Sequence, residues 1–273
     1  MAIAGVAGAN GSGSLARRLT SAAIGIPFLF LFVWVGSFWF VALVAVVAIL
    51  GLVELYRLSG VQRLWLQRGP GLALVLLLVV NGHTETIWAA PLVAASLPVL
   101  LLAYAWTPSS VRPWLLVLAG PLYLGATLAY AVLLRNLDDG ALWVALALLS
   151  TFSVDTAAFF AGRAFGRHRM VPRISPGKTW EGAVAGLLGG VGATVLLVSL
   201  FDLPLKSWEA LALGIGIWVV AQAGDLLESA LKRAAKAKEA GWLIPGHGGL
   251  LDRLDSVVFT LVLVYYGATW GAT

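Results

Sequence analysis

The chain has 273 residues, of which 60% are hydrophobic and only 11% charged, against roughly 45–50% and 25% in ordinary soluble domains. With a mean hydropathy of +0.92, that scarcity of charge excludes a soluble enzyme, a disordered protein and a nucleic-acid-binding domain, despite a pI near 9.7. The net charge of +5 suits the cytoplasmic loops of a membrane protein, and the absence of cysteine excludes disulfides, thiolate metal sites and cysteine nucleophiles.

The expected fold is therefore all-α: a polytopic integral membrane protein whose helices each need about 20 apolar residues to span the bilayer. Residues 1–18 read as a flexible cytoplasmic tail. The stretch Met1 to Ser14 carries no charged side chain, and a secretory signal would place basic residues ahead of its apolar core. Apolar runs then predict about nine spans, at 20–35, 38–56, 70–82, 87–105, 114–134, 141–162, 181–201, 208–229 and 254–271. Gly36-Ser37 alone separates the first two, so they form a tight hairpin or one broken segment. The spans divide into an N-terminal set within 19–140 and a C-terminal set within 141–273. No repeat of 20–50 residues is evident, which weakens an inverted-repeat transporter architecture.

Threading the loops through nine spans puts sixteen of the eighteen Lys and Arg residues on the side of the N-terminus. Only Arg135 and Lys206 fall on the other. The positive-inside rule then places the N-terminus in the cytoplasm and the C-terminus outside, whereas eight spans would destroy the asymmetry. Trp39, Trp106, Trp114, Trp180, Trp208 and Trp270 lie near predicted span ends, as interfacial aromatic belts do.

The N-terminal set carries few ionisable groups, and the chemistry concentrates from Asp155 onward. Intramembrane carboxylates are costly and mark functional positions by default. Asp155 falls inside an apolar run about two helical turns before Arg163; it either serves a site or braces a neighbouring helix. Ser175-Pro176-Gly177-Lys178-Thr179 enters the next span and reads as a turn leading into a helix N-terminus. There Lys178, Thr179 and backbone N–H groups face an anion, or Lys178 simply snorkels. The Gly-Lys-Thr triplet lacks the upstream glycine and the preceding strand of a P-loop. Farther on, Asp225 and Glu228 share a helix face with Ser229, Lys232 and Lys236. Gly246-His247-Gly248-Gly249 forms a turn where backbone can approach a ligand, ahead of Asp252, Arg253 and Asp255. Carboxylates, cations and glycines in this order suit a magnesium-bound phosphate compound. A juxtamembrane helix drawn to anionic lipid would explain Lys236 and Lys238 but not the aspartates. His83, His168 and His247 lack zinc-ligand spacing.

The run Ser229, Leu231, Lys232, Arg233, Lys238, Gly241, Pro245, His247, Gly248, Gly249, Asp252, Arg253 and Asp255 resembles the signature of the phosphatidate cytidylyltransferases, the CDP-diacylglycerol synthases. Ser175 through Gly182 resembles that family's second motif, and Asp155 through Gly166 its upstream segment. Glu239 departs from the family pattern, which has Asp there.

The resemblance implies that phosphatidate and CTP, with Mg²⁺, give CDP-diacylglycerol and pyrophosphate at the inner membrane, with the site facing the cytoplasm. It implies Asp225 and Asp252 as the first metal ligands, with Asp255 and Asp155 behind them. Lys178, Lys232, Arg233 and Arg253 would meet phosphate; Ser175, Thr179, Ser229, Gly248 and Gly249 would complete the substrate site. His247 is a candidate base or phosphate hydrogen-bonder, although an anionic phosphatidate needs no strong base. A monovalent cation beside Mg²⁺ and a homodimer are left open; no nucleic acid is expected. The rival readings are a CDP-alcohol phosphotransferase, whose Asp-Gly-x-x-Ala-Arg opening is missing, and an anion-coupled transporter, which would place charge at mid-membrane.

Overall fold

The computed structural model describes residues 11–59, 65–82, 119–237, 239–241, 243 and 248–270. Helices α1 (Gly11–Val35), α2 (Ser37–Leu58) and α3 (Trp65–Asn81) come first. A π-helical turn, Leu122–Ala126, runs into α4 (Thr127–Asn136), followed by α5 (Gly140–Phe165). Two short strands, β1 (Arg169–Val171) and β2 (Ser175–Thr179), precede α6 (Trp180–Leu200) and α7 (Ser207–Ala234). The one-turn helix α8 (Leu251–Leu254) and α9 (Val257–Trp270) close the chain. The predicted span at 87–105 and the start of that at 114–134 lie outside the described residues. So do Trp106, Trp114 and His83.

Among the described residues, four helical stretches are long and apolar enough to cross a membrane: Phe38–Leu58, Gly140–Phe165, Trp180–Leu200 and Ser207–Ala234. Shorter apolar stretches run over Ala23–Val35 and Gly69–Asn81. The exposed surface of these helices carries large apolar side chains such as Phe28, Leu31, Leu77, Leu188 and Leu196, the reverse of a soluble bundle and the expected dress of a lipid-facing wall. Trp39, Trp180, Trp208 and Trp270 are exposed near helix ends.

The α1–α2 junction is a true break. Gly36 adopts a φ of +66°, open to glycine without steric cost. Arg135, in the last turn of α4, donates from Nε to the Val33 carbonyl at 2.6 Å and from its guanidinium to the Trp34 carbonyl at 3.2 Å. It thereby caps the orphan carbonyls at the end of α1, and it occupies the space that a Cβ on residue 36 would need.

Inside a bilayer the hydrophobic effect does not pull helices together, so close packing and interhelical hydrogen bonds must do so. The α5–α6 pair illustrates this. Gly182, Gly186 and Gly190 recur every fourth residue on α6 and lie against Val154 and Ala158 of α5. Next to that stripe, Thr194 Oγ1 donates to Ser150 Oγ at 3.0 Å, and Thr151 Oγ1 donates across to Thr260 Oγ1 of α9 at 3.0 Å. Trp218 Nε1 on α7 donates to the Ala183 carbonyl of α6 at 2.9 Å.

The purely helical expectation needs one correction. Residues 169–179 form an antiparallel hairpin, with Arg169 opposite Thr179 and Val171 opposite Ser175. The turn falls on 172–174 rather than at Ser-Pro-Gly, so Gly177-Lys178-Thr179 is strand, not loop. Pro176 tolerates this because a two-stranded ribbon is all edge, and an edge strand can spare an N–H. Thr179 ends the strand and caps α6, accepting the Gly182 N–H on its Oγ1 at 3.1 Å.

The packing makes a prediction of opposite sign at two nearby positions. A Cβ at Gly190 would collide with the Val154 side chain, whereas one at Gly192 would meet open space. Gly190→Ala should lower stability by about 1–3 kcal/mol through overpacking. Gly192→Ala should be neutral or raise it by up to ~1 kcal/mol through helix propensity. Thermal midpoints of the two variants in one detergent would decide it.

Candidate active site

Three elements converge at one end of the bundle: the hairpin, the C-terminal half of α7, and the α8 turn with its preceding loop. Strand β2 directs Lys178 onto α7, where its Nζ lies 2.7 Å from Asp225 Oδ2 and donates to Gln222 Oε1 at 2.7 Å. Ser229, one turn along α7, donates to Asp225 Oδ1 at 3.3 Å. One turn further, Lys232 donates to Asp252 Oδ1 on α8 at 2.6 Å. Its Nζ also sits 3.0 Å from Glu228 Oε1, at ion-pair distance but outside hydrogen-bond geometry.

The helical spacing explains why two lysines are needed. Asp225 and Glu228 occupy one face of α7 but carry separate counter-charges, Lys178 from the hairpin and Lys232 from the same helix. Glu228 is buried, with no side-chain exposure, while the two lysines keep 14–16% of theirs. An unpaired carboxylate so enclosed would carry a desolvation cost of several kcal/mol.

Asp252 is fully engaged. Its Oδ1 takes the Lys232 ammonium, and its Oδ2 accepts the N–H groups of Ala240 and Gly249, both at 2.9 Å. Burial alone would raise this carboxyl, but Lys232 and the two amides outweigh it and hold it below the usual carboxylate range. The contact therefore contributes fully above the ordinary carboxylate range and is lost as pH falls through the lowered value.

Asp155 on α5 is exposed. Asp155, Asp225 and Asp255 lie within electrostatic reach of one another, with Lys178, Lys232 and Arg253 as counter-charges. Asp255 Oδ1 accepts the Ser256 N–H at 2.7 Å. Among the described residues no three His, Cys, Asp or Glu side chains form a ready-made metal cage. The donor set is nevertheless all oxygen, and Mg²⁺ is commonly held by one or two carboxylates, with phosphate oxygens and water completing the shell. The residues fit that mode and not an all-protein cage.

The other predicted residues divide. Arg233 points back to the hairpin, donating to the Ile174 carbonyl at 3.2 Å, and Thr179 is spent on capping α6. Ser175 sits half-buried in β2. Gly248 takes a φ of +85° and Gly249 is buried against the Asp252 carboxylate. His247, Lys238, Pro245 and Gly246 lie outside the described residues.

Sequence reasoning missed four contributors. Gln222 is three residues before Asp225 on an otherwise apolar face, a signal that was available. Tyr123, in the π-helical turn, is buried with its hydroxyl unpartnered, as is Ser256 Oγ. The fourth is Glu54 of α2, 1% exposed, whose Oε2 accepts the Leu251 N–H at 2.8 Å.

A model of the cytidylyltransferase family matches residues 16–269. The phosphatidate cytidylyltransferase of Bacillus subtilis (strain 168) is 31% identical over 259 residues, covering 92% of this chain and 96% of that protein. Its counterpart in Brucella suis biovar 1 (strain 1330) is 35% identical, covering 92% of each. Over 126 residues the chloroplastic phosphatidate cytidylyltransferase 5 of Arabidopsis thaliana is 44% identical, covering 46% of this chain and 31% of that protein.

Removing the shared cation should be more damaging than removing a surface charge. Lys232→Met leaves Glu228 and Asp252 enclosed without their ammonium, and should cost about 3–5 kcal/mol. Lys206→Met, at an exposed pair with Glu209, should leave the thermal midpoint unchanged. Equal midpoints for the two variants would refute this account of the cluster.

Proposed function

The chain belongs to the cytidylyltransferase family, and on that premise we propose how its charged cluster makes CDP-diacylglycerol and pyrophosphate from phosphatidate and CTP. The observation that carries the reading is the meeting of Lys178, Asp225, Lys232 and Asp252, drawn from β2, α7 and α8, at one end of an apolar bundle. Paired charges of both signs are what a triphosphate and its counter-ion require. Lys178 exchanges the Asp225 carboxylate for a phosphate oxygen and Asp225 turns to the cation, while Lys232 meets phosphate from its seat on Asp252.

A phosphatidate oxygen attacks the α-phosphorus of CTP. The new P–O bond forms as the bond to the β-phosphate breaks, and pyrophosphate leaves. Both substrates are already anionic, so no group has to extract a proton. The protein's contribution is positioning and neutralisation. Lys178 and Lys232 hold the phosphates, with Arg253 within electrostatic reach of Asp155. Asp225 and Asp255, with Asp155 adjacent, would hold Mg²⁺, which when bound supplies charge neutralisation on the triphosphate. Asp252 keeps its oxygens for Lys232 and the glycine loop and aligns that lysine. Backbone at Gly248 and Gly249 offers close approach to the nucleotide.

The cluster belongs at the cytoplasmic face of the inner membrane, with nine spans, the N-terminus inside and the C-terminus outside. Support comes from the distribution of Lys and Arg, since sixteen of eighteen lie on one side of that topology. A reporter enzyme fused after Thr273 should be active only outside the cytoplasm; cytoplasmic activity would reverse the orientation.

With phosphatidate, labelled CTP and Mg²⁺, the purified chain should form a lipid-soluble cytidine product. Asp225→Asn should reduce turnover by at least about 10³-fold while the protein still folds, because it removes both a ligand and the partner of Lys178. Glu239→Gln should be far milder. Near-normal turnover in Asp225→Asn would remove that residue from the site.

A further inference from the structure

The catalytic motifs all lie after residue 150, yet the loop that carries Asp252 is fastened by a residue some two hundred positions earlier. We propose that Glu54 of α2 is a positioning residue for the reaction, acting through the glycine loop on the Asp252–Lys232 pair. This inference rests on the function proposed above.

Glu54 is enclosed at 1% exposure in a helix whose neighbouring core residues are Leu52, Leu55 and Tyr56. A carboxylate in such surroundings is expensive, so something must hold it there. Its Oε2 accepts the Leu251 N–H at 2.8 Å, and Leu251 immediately precedes Asp252. Gly241 and Gly249 also close on it. A Cβ at Gly241 would strike Glu54 Oε1, and one at Gly249 would lie 2.7 Å from Oε2 and from the Gly241 nitrogen.

Two carboxylates thus gather the same described backbone, at Ala240, Gly249 and Leu251. Glu54 takes the N–H of Leu251, and Asp252 takes those of Ala240 and Gly249. Asp252 Oδ1 then meets Lys232 at 2.6 Å. Loss of the Glu54 contact frees the backbone that sets where Asp252 stands, and Lys232 moves with it. Glu54 reaches the reacting phosphates through Asp252 and Lys232, so its loss should lower turnover and spare lipid binding. The requirement is for an accepting oxygen of this length, which an amide also provides.

The test uses the full chain in detergent with phosphatidate, CTP and Mg²⁺. Glu54→Leu should lower kcat by about 100-fold, the scale of a misplaced catalytic group, and leave KM for phosphatidate within about twofold. Glu54→Gln, which keeps an accepting oxygen, should restore kcat to within about threefold of the unaltered chain. Should Glu54→Leu fail to fold, Gly241→Ala decides: its methyl displaces the carboxylate and should lower kcat about tenfold at unchanged KM for phosphatidate. Full turnover in Glu54→Leu or in Gly241→Ala overturns the proposal, as does an equal loss in Glu54→Leu and Glu54→Gln. If the unaltered chain itself makes no CDP-diacylglycerol, the functional reading has failed and this inference falls with it.

Discussion

The Lys232 ammonium is the contact on which the rest of this architecture depends. It is shared by Glu228 of its own helix and Asp252 of α8, in a region where an isolated carboxylate would be driven to lose its charge. One ammonium thus ties α7 to α8, and the neighbouring Lys178–Asp225 pair ties β2 to the same face of α7. The cluster is therefore held together by charge drawn from three elements, β2, α7 and α8. The reaction proposed above draws on the same groups that hold this end of the bundle together.

The scaffold that carries this cluster is built by other means. Between α5 and α6, glycines at every fourth position bring the backbones close, and Ser and Thr hydroxyls bridge them. Those contacts need no water-driven collapse, so they serve within lipid. The result is a stiff wall beside the hairpin that delivers Lys178. Asp155 rises from the same helix as Val154, whose side chain packs into the glycine stripe. The packed wall and the charged cluster are thus served by adjacent residues of one helix.

Much of this was legible in the sequence, for reasons that also explain what was not. Apolar runs locate a helix closely because its length is set by the bilayer, and the breaks at Gly36, after Asn136 and before Trp180 fall where polar residues or glycine interrupt those runs. The lysines and aspartates of α7 and α8 were visible because they recur at helical spacing. The hairpin was not, since Ser-Pro-Gly favours a turn locally and only pairing with Arg169–Val171 makes it a strand. Glu54 stayed hidden for the opposite reason. It sits one residue before Leu55-Tyr56-Arg57, so it looks like the polar end of a span, and its partner is 197 residues away. No local pattern reveals a contact of that range. Tyr123 shares the difficulty, because a π-helical turn leaves no periodic trace in five residues.

The Arg135 cap on α1 has a consequence for the order in which the protein is made. The carbonyls of Val33 and Trp34 receive their donors from a residue 102 and 101 positions later in the chain. At synthesis rates of about 5–20 residues per second, that interval is roughly 5–20 s. During it the carbonyls that end α1 await their donor. The first two helices are thus made first, yet their junction is completed only when α4 has been made.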